Sequence, residues 1–399
     1  MIPVFVLDRP ASLRILQQLE DCKGNFGILA HPYTSDNFKK QFADFNLSAF
    51  KIGDSGIYQK GGMSYHKLFA EYEKMGVDYG IIKDYYRDPA KTLESAKKAL
   101  NVYKRGKYNF QLMGVAQGNT VAEYVRSYKS QKDIGLSIVV IGGLLDKIEN
   151  HVRMVKVKNE TFLKNVLHAI RALYPDDKIF PLGVFNKNRV ETFKSENIWA
   201  SDYKGWIFRY NKAEADALGN RFPQTAENAR KLLKYINENT ISNSGTHKKS
   251  NSRLLLVSCS KKKFSEPGKA INVYDGPYFH IIRSNSRPNS GIDIKIISAK
   301  YGLIDSDDKI TPYDYKMTRE DAKIYKQVYK KDLEGLFSEY STIAFCGSKL
   351  YASVMPENKV YIINDKIGIQ LHLLKEWISN NGQPALAQNF ILSNNLSSY

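Results

Sequence analysis

The predicted fold follows from one stretch of sequence, FQLMGVAQGNTVAEYVRSYKSQKDIGLSIVVIGG at residues 110 to 143. It contains two short runs that are almost wholly apolar, FQLMGVA and LSIVVIGG, and between them a segment with apolar residues at helical spacing. A strand that is buried on both faces reads as such a run, and an amphipathic segment predicts a surface helix. The stretch therefore predicts a strand, a helix and a second strand of one parallel sheet.

The same pattern recurs on both sides of this stretch. The other apolar runs are FGILA (26–30), SAFKIG (48–53), DYGIIK (78–83), KIFPLGVF (178–185) and ENIWAS (196–201). Seven strand-and-helix units predict an α/β fold, a (β/α)8 TIM-like barrel, whose eighth strand is either PVFVL near the start or WIFRY after the last unit. An open doubly wound sheet is the alternative, although no glycine-rich phosphate loop follows the first strand.

Length and composition predict a second, smaller domain after the barrel. A chain of 399 residues exceeds the usual size of one hydrophobic core. The segment INENTISNSGTHKKSNS is polar and rich in Asn, Ser and Thr, which is typical of a linker. We therefore predict a barrel at residues 1–236, a linker at 237–252 and a three-layer α/β accessory domain at 253–399.

The charge of the chain indicates its partner. Lys and Arg number 59 against 41 Asp and Glu, which gives a formal net charge of +18 and a pI near 9.4. Such an excess attracts phosphate over a long range, so nucleic acid is the expected partner, although a lysine-rich solvated surface would have the same composition.

Other sequence features predict a cytoplasmic protein without a metal. No apolar run approaches the ~18 residues of a membrane span, and the start MIPVFVLDRP lacks the features of a signal peptide. Three cysteines and seven histidines form neither a CxxC nor an HxxxH pair, so no zinc site and no cofactor are expected.

Polar residues follow several of the predicted strands. Because the carboxyl ends of barrel strands meet at one rim, we expect these residues to lie near one another. The residues at these strand ends are Asp54, Asp84, Gln117, Gly142, Gly143, Leu182, Gly183 and Asp202, of which the three acids and Gln117 have polar side chains. Three acids and an amide at successive strand ends predict a functional site, although each by itself is more often a loop residue.

The motifs around these residues resemble those of the tRNA-guanine transglycosylase superfamily. DSGIYQ (54–59) resembles the family's Asp-Ser-Gly-Gly-Phe/Tyr-Gln box, with Ile57 in place of the second glycine. Three further boxes resemble GVAQG (114–118), IGGLL (141–145) and PLGV (181–184), and the family's last aspartate falls on Asp202. The resemblance covers residues 25 to 210. It implies a barrel enzyme that exchanges a guanine in a polynucleotide for a free 7-deazaguanine base.

The resemblance also implies roles for individual residues. Asp202 would attack the anomeric carbon and hold the sugar, and Asp54 would carry the protons of the two bases, as retaining exchange at a glycosidic bond requires. The base-binding residues would be Asp84, Gln117, Gly142, Gly143, Tyr58, Leu182 and Ser55. Tyr58 and Leu182 would cover the two faces of the purine.

Two departures from the family concern the polynucleotide. The family's cysteine and histidine zinc motif is absent, and Tyr203 to Trp206 replace its Pro-Thr-Arg sequence after the nucleophile. In both departures the sequence resembles the branch of the family that places 7-deazaguanines in DNA. DNA is therefore the expected substrate, and tRNA is the alternative. A protein that binds the deazapurine or nucleic acid without catalysis is the rival from another class.

The predicted accessory domain repeats the alternation of strands and helices. Its runs are LLLVSCSKKK, IKIISAKYGLI, TIAFCGSKLYASV and VYIIND. The Ser-Cys-Ser-Lys and Ser-Ala-Lys-Tyr-Gly-Leu boxes distantly resemble the core domain of archaeosine synthase, and they indicate handling of a nucleotide, phosphate or base. The candidate residues at the strand ends are Cys259, Ser260, Lys261, Ser298, Lys300 and Tyr301. For Cys259, a buried structural thiol is the alternative.

Overall fold

A computed structural model describes most of the chain. The described residues are 1–7, 10–57, 62–144, 146–147, 154–156, 159–203, 226–238, 253–286, 291–356, 360–363 and 365–380. Contacts divide the chain into two compact units. One comprises Met1–Asn119, Glu123–Lys158 and Tyr174–Asn243, and the other comprises Thr120–Ala122, Asn159–Leu173 and Ser244–Tyr399. The domain limits that the sequence predicts, 1–236 and 253–399, stay a prediction.

The first unit contains a nearly closed barrel of parallel strands. Within the described residues, eight strands pair in the order β10-β1-β2-β3-β4-β5-β6-β9. They are β1 (Ile2–Val6), β2 (Gly27–Ala30), β3 (Lys51–Gly53), β4 (Tyr79–Ile81), β5 (Gln111–Ala116), β6 (Ile138–Ile141), β9 (Phe180–Pro181) and β10 (Ala200–Tyr203). The Trp199 N–H donates to the Ile179 carbonyl at 3.1 Å, which brings the start of β10 close to the start of β9. The predicted TIM-like barrel is confirmed.

The opening run supplies the eighth strand, because β1 pairs with both β2 and β10. The other candidate, WIFRY at 206–210, lies outside the described residues. A short antiparallel pair, β7 (Asp146–Lys147) and β8 (Met154–Lys156), follows β6. Val4, Ile28, Ile52, Ile81, Val115 and Val139 are all fully buried strand residues. Their burial explains why the strands read as continuous apolar runs.

Helices follow the strands, and several of them begin at residues whose side chains cap the helix. In the first unit they are α1 (Pro10–Leu16), α2 (Asp36–Asp44), α3 (Tyr65–Met75), α4 (Pro89–Arg105), α5 (Val121–Asp133), α7 (Val190–Ser195) and α8 (Ala226–Glu238). The side chains of Ser35, Ser64 and Asp88 accept backbone N–H bonds at the starts of α2, α3 and α4. Such caps satisfy N–H groups that have no partner within the helix.

The second unit is a smaller α/β domain around a mixed sheet. Its described strands pair in the order β14-β13-β11-β16-β17, and only the β13–β14 pair is antiparallel. The strands are β11 (Arg253–Ser258), β13 (Ile292–Ser298), β14 (Gly302–Asp305), β16 (Thr342–Cys346) and β17 (Tyr361–Ile363), with β12 (Gly268–Lys269) and β15 (Lys309–Ile310) as a separate pair. The accessory α/β domain is therefore confirmed as a fold.

The helices of this unit include one from the middle of the chain. They are α6 (Glu160–Leu173), α9 (Ala270–Val273), α10 (Pro277–Asn285), α11 (Arg319–Val328), α12 (Lys330–Glu339), α13 (Lys349–Ala352) and α14 (Ile367–Ser379). Asn165 on α6 is buried, and its side-chain amide donates to the carbonyls of Tyr301 and Leu303 at 2.6 and 3.0 Å. No described helix is both long and apolar enough to cross a membrane.

Candidate active site

The carboxyl ends of the barrel strands bring the predicted site residues to one rim. Asp54 follows β3 directly, Gln117 follows β5, Gly142 follows β6 and Leu182 follows β9. Asp84 comes three residues after the end of β4. Asp202 differs from the prediction, because it lies inside β10 and pairs with Val4 of β1 instead of following the strand.

Asp84 and Gln117 form the centre of a buried cluster. Gln117 is fully buried and Asp84 is 7% exposed, and the Gln117 Nε2 donates to Asp84 Oδ2 at 2.6 Å. The Gln117 Oε1 accepts the backbone N–H of Arg87 at 3.0 Å. These two bonds fix the orientation of the amide, and they use one of its two Nε2 hydrogens. A polar pair that is held so far from water presents defined hydrogen-bonding groups to a ligand.

The glycine pair after β6 lies against this amide. A Cβ on Gly142 would be 2.6 Å from Gln117 Nε2 and 3.3 Å from Asp84 Oδ2. A Cβ on Gly143 would overlap Gln117 Oε1, and the φ of Gly143 is +69°, which favours glycine. The predicted residues Gly142 and Gly143 are therefore required by the close approach of the amide, and they lie in the same cluster as Asp84 and Gln117.

Two residues of this cluster were not predicted from the sequence. Tyr124 is fully buried and its hydroxyl donates to the Gly142 carbonyl at 2.8 Å; burial raises the pKa of this hydroxyl, so it stays a donor. Arg87 has a φ of +52° and its Nε lies 3.4 Å from the Gly143 carbonyl. Neither stands in a recognisable motif. Only the positive φ of Arg87, which a sequence does not reveal, marks it as unusual.

The loop that carries Asp84 is fastened on both sides. Before it, the Lys83 N–H donates to the Tyr65 hydroxyl at 3.1 Å, and burial raises the pKa of Tyr65 to about 12. After it, the Tyr85 N–H donates to Thr92 Oγ1 at 2.9 Å. The side chains of α3 and α4 therefore hold the Asp84 carboxylate in place.

Asp202 contacts the loop that follows β9. The Gly183 N–H donates to Asp202 Oδ1 at 2.5 Å, and the φ of Gly183 is +70°. The neighbouring Ser201 is fully buried, and its hydroxyl donates to the Pro181 carbonyl at 2.8 Å. Leu182, the predicted purine-face residue, is half-buried between these contacts. The PLGV segment thus orients the carboxylate of Asp202.

The DSG segment follows the end of β3 directly. The Asp54 N–H donates to the Ala30 carbonyl at 2.9 Å, and the Asp54 side chain is half-buried. Ser55 is fully buried, and within the described part of the chain its hydroxyl has no hydrogen-bond partner. Tyr58, the predicted stacking residue, lies outside the described residues.

Residues that follow β2 complete this side of the rim. The φ of Gly56 is +63°, and a Cβ there would be 2.8 Å from the Tyr33 ring and 3.4 Å from the Cβ of His31. The His31 Nδ1 accepts the Tyr33 N–H at 3.2 Å. Because β2 lies next to β3, His31 and Tyr33 belong to the same rim as Asp54. The sequence interpretation did not select them, although they directly follow the FGILA run.

Tyr72 of α3 packs against β3 and β4, the strands that precede Asp54 and Asp84. A Cβ on Gly53 or Gly80 would overlap its ring, and its hydroxyl donates to the Ile81 carbonyl at 2.8 Å. Burial raises the pKa of Tyr72, and the nearby charge of Asp54 adds to this effect. The glycines of KIG and YGI therefore allow α3 to pack closely under the rim.

The accessory candidates fall into two groups. The Cys259 Sγ is half-buried at the end of β11, where it lies 3.2 Å from the Tyr351 hydroxyl and accepts the Ala299 N–H at 3.4 Å. Ser260 donates to the Lys262 carbonyl, and Lys261 is exposed. Lys300 lies 5.2 Å from the centre of the Tyr301 ring. These four residues lie at the ends of parallel strands or just beyond them.

Ser298 and Tyr301 have a structural explanation instead. Ser298 is fully buried and bonds the hydroxyls of Tyr274 and Tyr313, each at 2.9 Å. Tyr301 is 1% exposed and donates to the Thr311 carbonyl at 2.9 Å. Their hydroxyls are thus engaged within the protein. Among the described residues, no group of three or more His, Cys, Asp or Glu side chains is placed to hold a metal ion.

Comparisons with known proteins bear on each unit differently. Residues 254–376 match a family of unknown function, DUF6884. No curated protein matches the chain. A solved structure described as "Native KDPGal structure" is similar over 60% of this chain and 95% of that chain, with 10% identity and a TM-score of 0.37. We infer nothing from a TM-score this low. The fold is assigned from the strand order itself.

Proposed function

We propose that the protein is a nucleic-acid guanine transglycosylase, which exchanges a guanine in DNA for a 7-deazaguanine such as 7-cyano-7-deazaguanine. The observation that carries this proposal is the buried cluster of Asp84, Gln117, Gly142 and Gly143, at the rim that also bears Asp54 and Asp202. The cluster offers both acceptors and donors to the edge of a purine. The two further carboxylates supply what exchange at a sugar requires.

The base would be read by the buried cluster. Asp84 accepts the ring N–H and the exocyclic amine of guanine, and the remaining Nε2 hydrogen of Gln117 meets the carbonyl with the Gly143 N–H. Leu182 covers one face of the ring. A 7-deazaguanine presents the same edge as guanine, so one pocket serves both the leaving and the entering base.

The exchange would take place in two displacements at the sugar. Asp202 attacks C1′, the bond from C1′ to N9 breaks with its electrons on guanine, and Asp54 gives a proton to the departing base. The entering base then loses its N9 proton to Asp54 as N9 attacks C1′ and the ester to Asp202 breaks. One proton is given and one is recovered, so the enzyme ends in its starting state.

The first experiment measures exchange and the covalent intermediate. Labelled guanine is incubated with the protein and either duplex DNA or tRNA to measure exchange, and adducts are detected with the labelled polynucleotide on a denaturing gel. Asp202→Asn should abolish both exchange and adduct, because it removes the nucleophile. Asp54→Asn should lower exchange by about 100-fold or more but leave a weak adduct, because attack persists without proton transfer.

Asp78→Asn is the matched control, because Asp78 precedes β4 at the opposite end of the barrel, where it accepts the Lys51 N–H at 2.7 Å. This variant should retain exchange. An adduct undiminished in Asp202→Asn would disprove the assigned nucleophile. Stronger labelling of tRNA than of DNA would identify tRNA instead of DNA as the substrate. Tight binding of 7-deazaguanine without any exchange would favour a binding protein that lacks catalysis.

A further inference from the structure

A cleft of about 610 Å³ lies in the second unit, apart from the residues of the proposed exchange site. Its lining comprises Tyr278, Lys316, Ser348, Lys349, Leu350, Tyr351, Asp365, Ile367 and Gln370. Small-molecule sites commonly have volumes of roughly 300 to 1,000 Å³ and combine apolar walls with a few polar groups. The cleft therefore has the size and the composition of a ligand site.

The position of the cleft follows from the order of the strands. The chain passes from the central strand β11 to β13 on one side and then to β16 on the other, so the order reverses at β11. Ser348 and Asp365 come shortly after the ends of β16 and β17. In open α/β sheets, ligands bind outside the carboxyl ends of the strands where the order reverses. The cleft lies at this end of the sheet.

Gln370 supplies a buried, oriented donor to the cleft. It is 4% exposed, and its Oε1 accepts the hydroxyl of Tyr278. Burial raises the pKa of Tyr278 to about 12, so this hydroxyl stays protonated and donates. Within the described part of the chain, the Gln370 Nε2 has no hydrogen-bond partner. The amide is therefore fixed at one end, and its Nε2 can donate to an acceptor of a ligand in the cleft.

The charges and the apolar groups of the cleft indicate what the ligand contains. Lys316 and Lys349 are exposed, and neither is paired with an acid in the described residues, so they suit a phosphate. Ile367 is 53% exposed, although it belongs to the lining. Together with the rings of Tyr278 and Tyr351 it offers apolar surface to a flat ring, and Asp365 offers an acceptor to an amine.

We propose that this cleft binds a nucleotide unit. Its base lies against the tyrosine rings and Ile367 and accepts a hydrogen bond from Gln370 Nε2, while Lys316 and Lys349 hold its phosphate. The ligand is a free nucleoside monophosphate or the terminal nucleotide of a strand. The site adds a second point of nucleotide recognition to the proposed base exchange in the barrel and does not depend on it.

Calorimetric titration of the full chain tests this site. The probes are the four ribonucleoside 5′-monophosphates, the corresponding nucleosides and inorganic phosphate. At least one monophosphate should bind tenfold or more tightly than its nucleoside, because a lysine–phosphate contact is charge-assisted. A 5′-phosphorylated trinucleotide distinguishes the two sources, since a terminal nucleotide gains affinity from the strand and a free nucleotide does not.

Two variants assign the binding to the cleft. The double substitution Lys316→Gln and Lys349→Gln should remove the preference for the monophosphate over the nucleoside. Gln370→Glu keeps the acceptor for Tyr278 but removes the N–H donors, so it should weaken binding about tenfold or more. Lys375→Gln, an exposed lysine of α14 outside the lining, is the control and should bind as the parent does.

The outcomes separate this site from the barrel. The substituted residues lie in the second unit. If the variants lose nucleotide binding but retain base exchange, the result supports the cleft as a site of its own. Absence of binding by all four monophosphates at millimolar concentration would overturn the proposal. Unchanged binding in the double variant, with its thermal midpoint preserved, would overturn it as well.

Discussion

At the scale of single residues, the glycine pair after β6 connects backbone conformation with the proposed base recognition. Gly143 has a φ of +69° and no room for a Cβ beside Gln117 Oε1. Gly143→Ala should therefore combine backbone strain with displacement of the amide, and it should destabilise the protein by about 2 kcal/mol or more. Urea denaturation measures the loss of stability, and a guanine-binding titration measures the displacement.

Gly135 provides the control for this prediction. Its φ is +103°, but a Cβ there would meet no atom within 4 Å. Gly135→Ala should thus show only the backbone effect, about 1 kcal/mol, with guanine binding unchanged. Equal losses in the two variants would mean that the contact with Gln117 has no energetic consequence.

At the scale of elements, a buried ion pair joins α2 to α3. Lys39 Nζ lies 2.5 Å from Glu71 Oε2, and each side chain is 11% exposed. Burial by itself would raise the pKa of Glu71, but hydrogen bonds from Lys39 and Lys74 outweigh it and lower this pKa below 4.5. Glu71→Gln should destabilise the protein by about 3 kcal/mol at neutral pH, because the buried Lys39 charge then keeps only the exposed carboxylate of Asp36, 3.4 Å away, as its partner.

The pH dependence of this effect has a definite sign. A carboxylate whose folded pKa is lowered stabilises the protein above its unfolded pKa, and this contribution disappears as the pH falls through the folded value. The difference between parent and Glu71→Gln should therefore be full above pH 4.5 and shrink below it. Glu94→Gln, in an exposed pair with Lys98 on α4, should have a much smaller effect. A difference that persists unchanged into acid would contradict this assignment.

At the scale of the whole molecule, the net charge of +18 predicts how DNA binding responds to salt. Each phosphate contact releases counterions, so two or more contacts imply at least a tenfold loss of affinity between about 50 and about 200 mM salt. Fluorescence anisotropy with a labelled duplex measures this slope. Binding of an uncharged nucleoside is the control and should not respond, whereas a flat response with DNA would remove the electrostatic basis of the proposed partner.

Much of the barrel rim was predictable because a parallel barrel places every strand end on one side. Asp84 and Gln117 follow different strands of the first unit, yet the position of each after an apolar run was enough to predict that they lie at the same rim. Arg87 and Tyr124 were not predictable. Arg87 joins the cluster through a left-handed backbone conformation, and Tyr124 joins it from a helix position, and no local pattern marks either of them. Ser298 and Tyr301 were selected for their motif, but their hydroxyls are used in packing.

The sequence by itself determined the fold class, the strand positions and the set of polar residues at the strand ends, because burial on two faces leaves a local apolar pattern. Only the tertiary structure decided that Gln117 is held between Asp84 and Arg87, and that Asp202 lies within β10. It also decided that α6 belongs with the second unit. These features depend on contacts between residues distant in sequence, and such contacts leave no periodic signal along the chain.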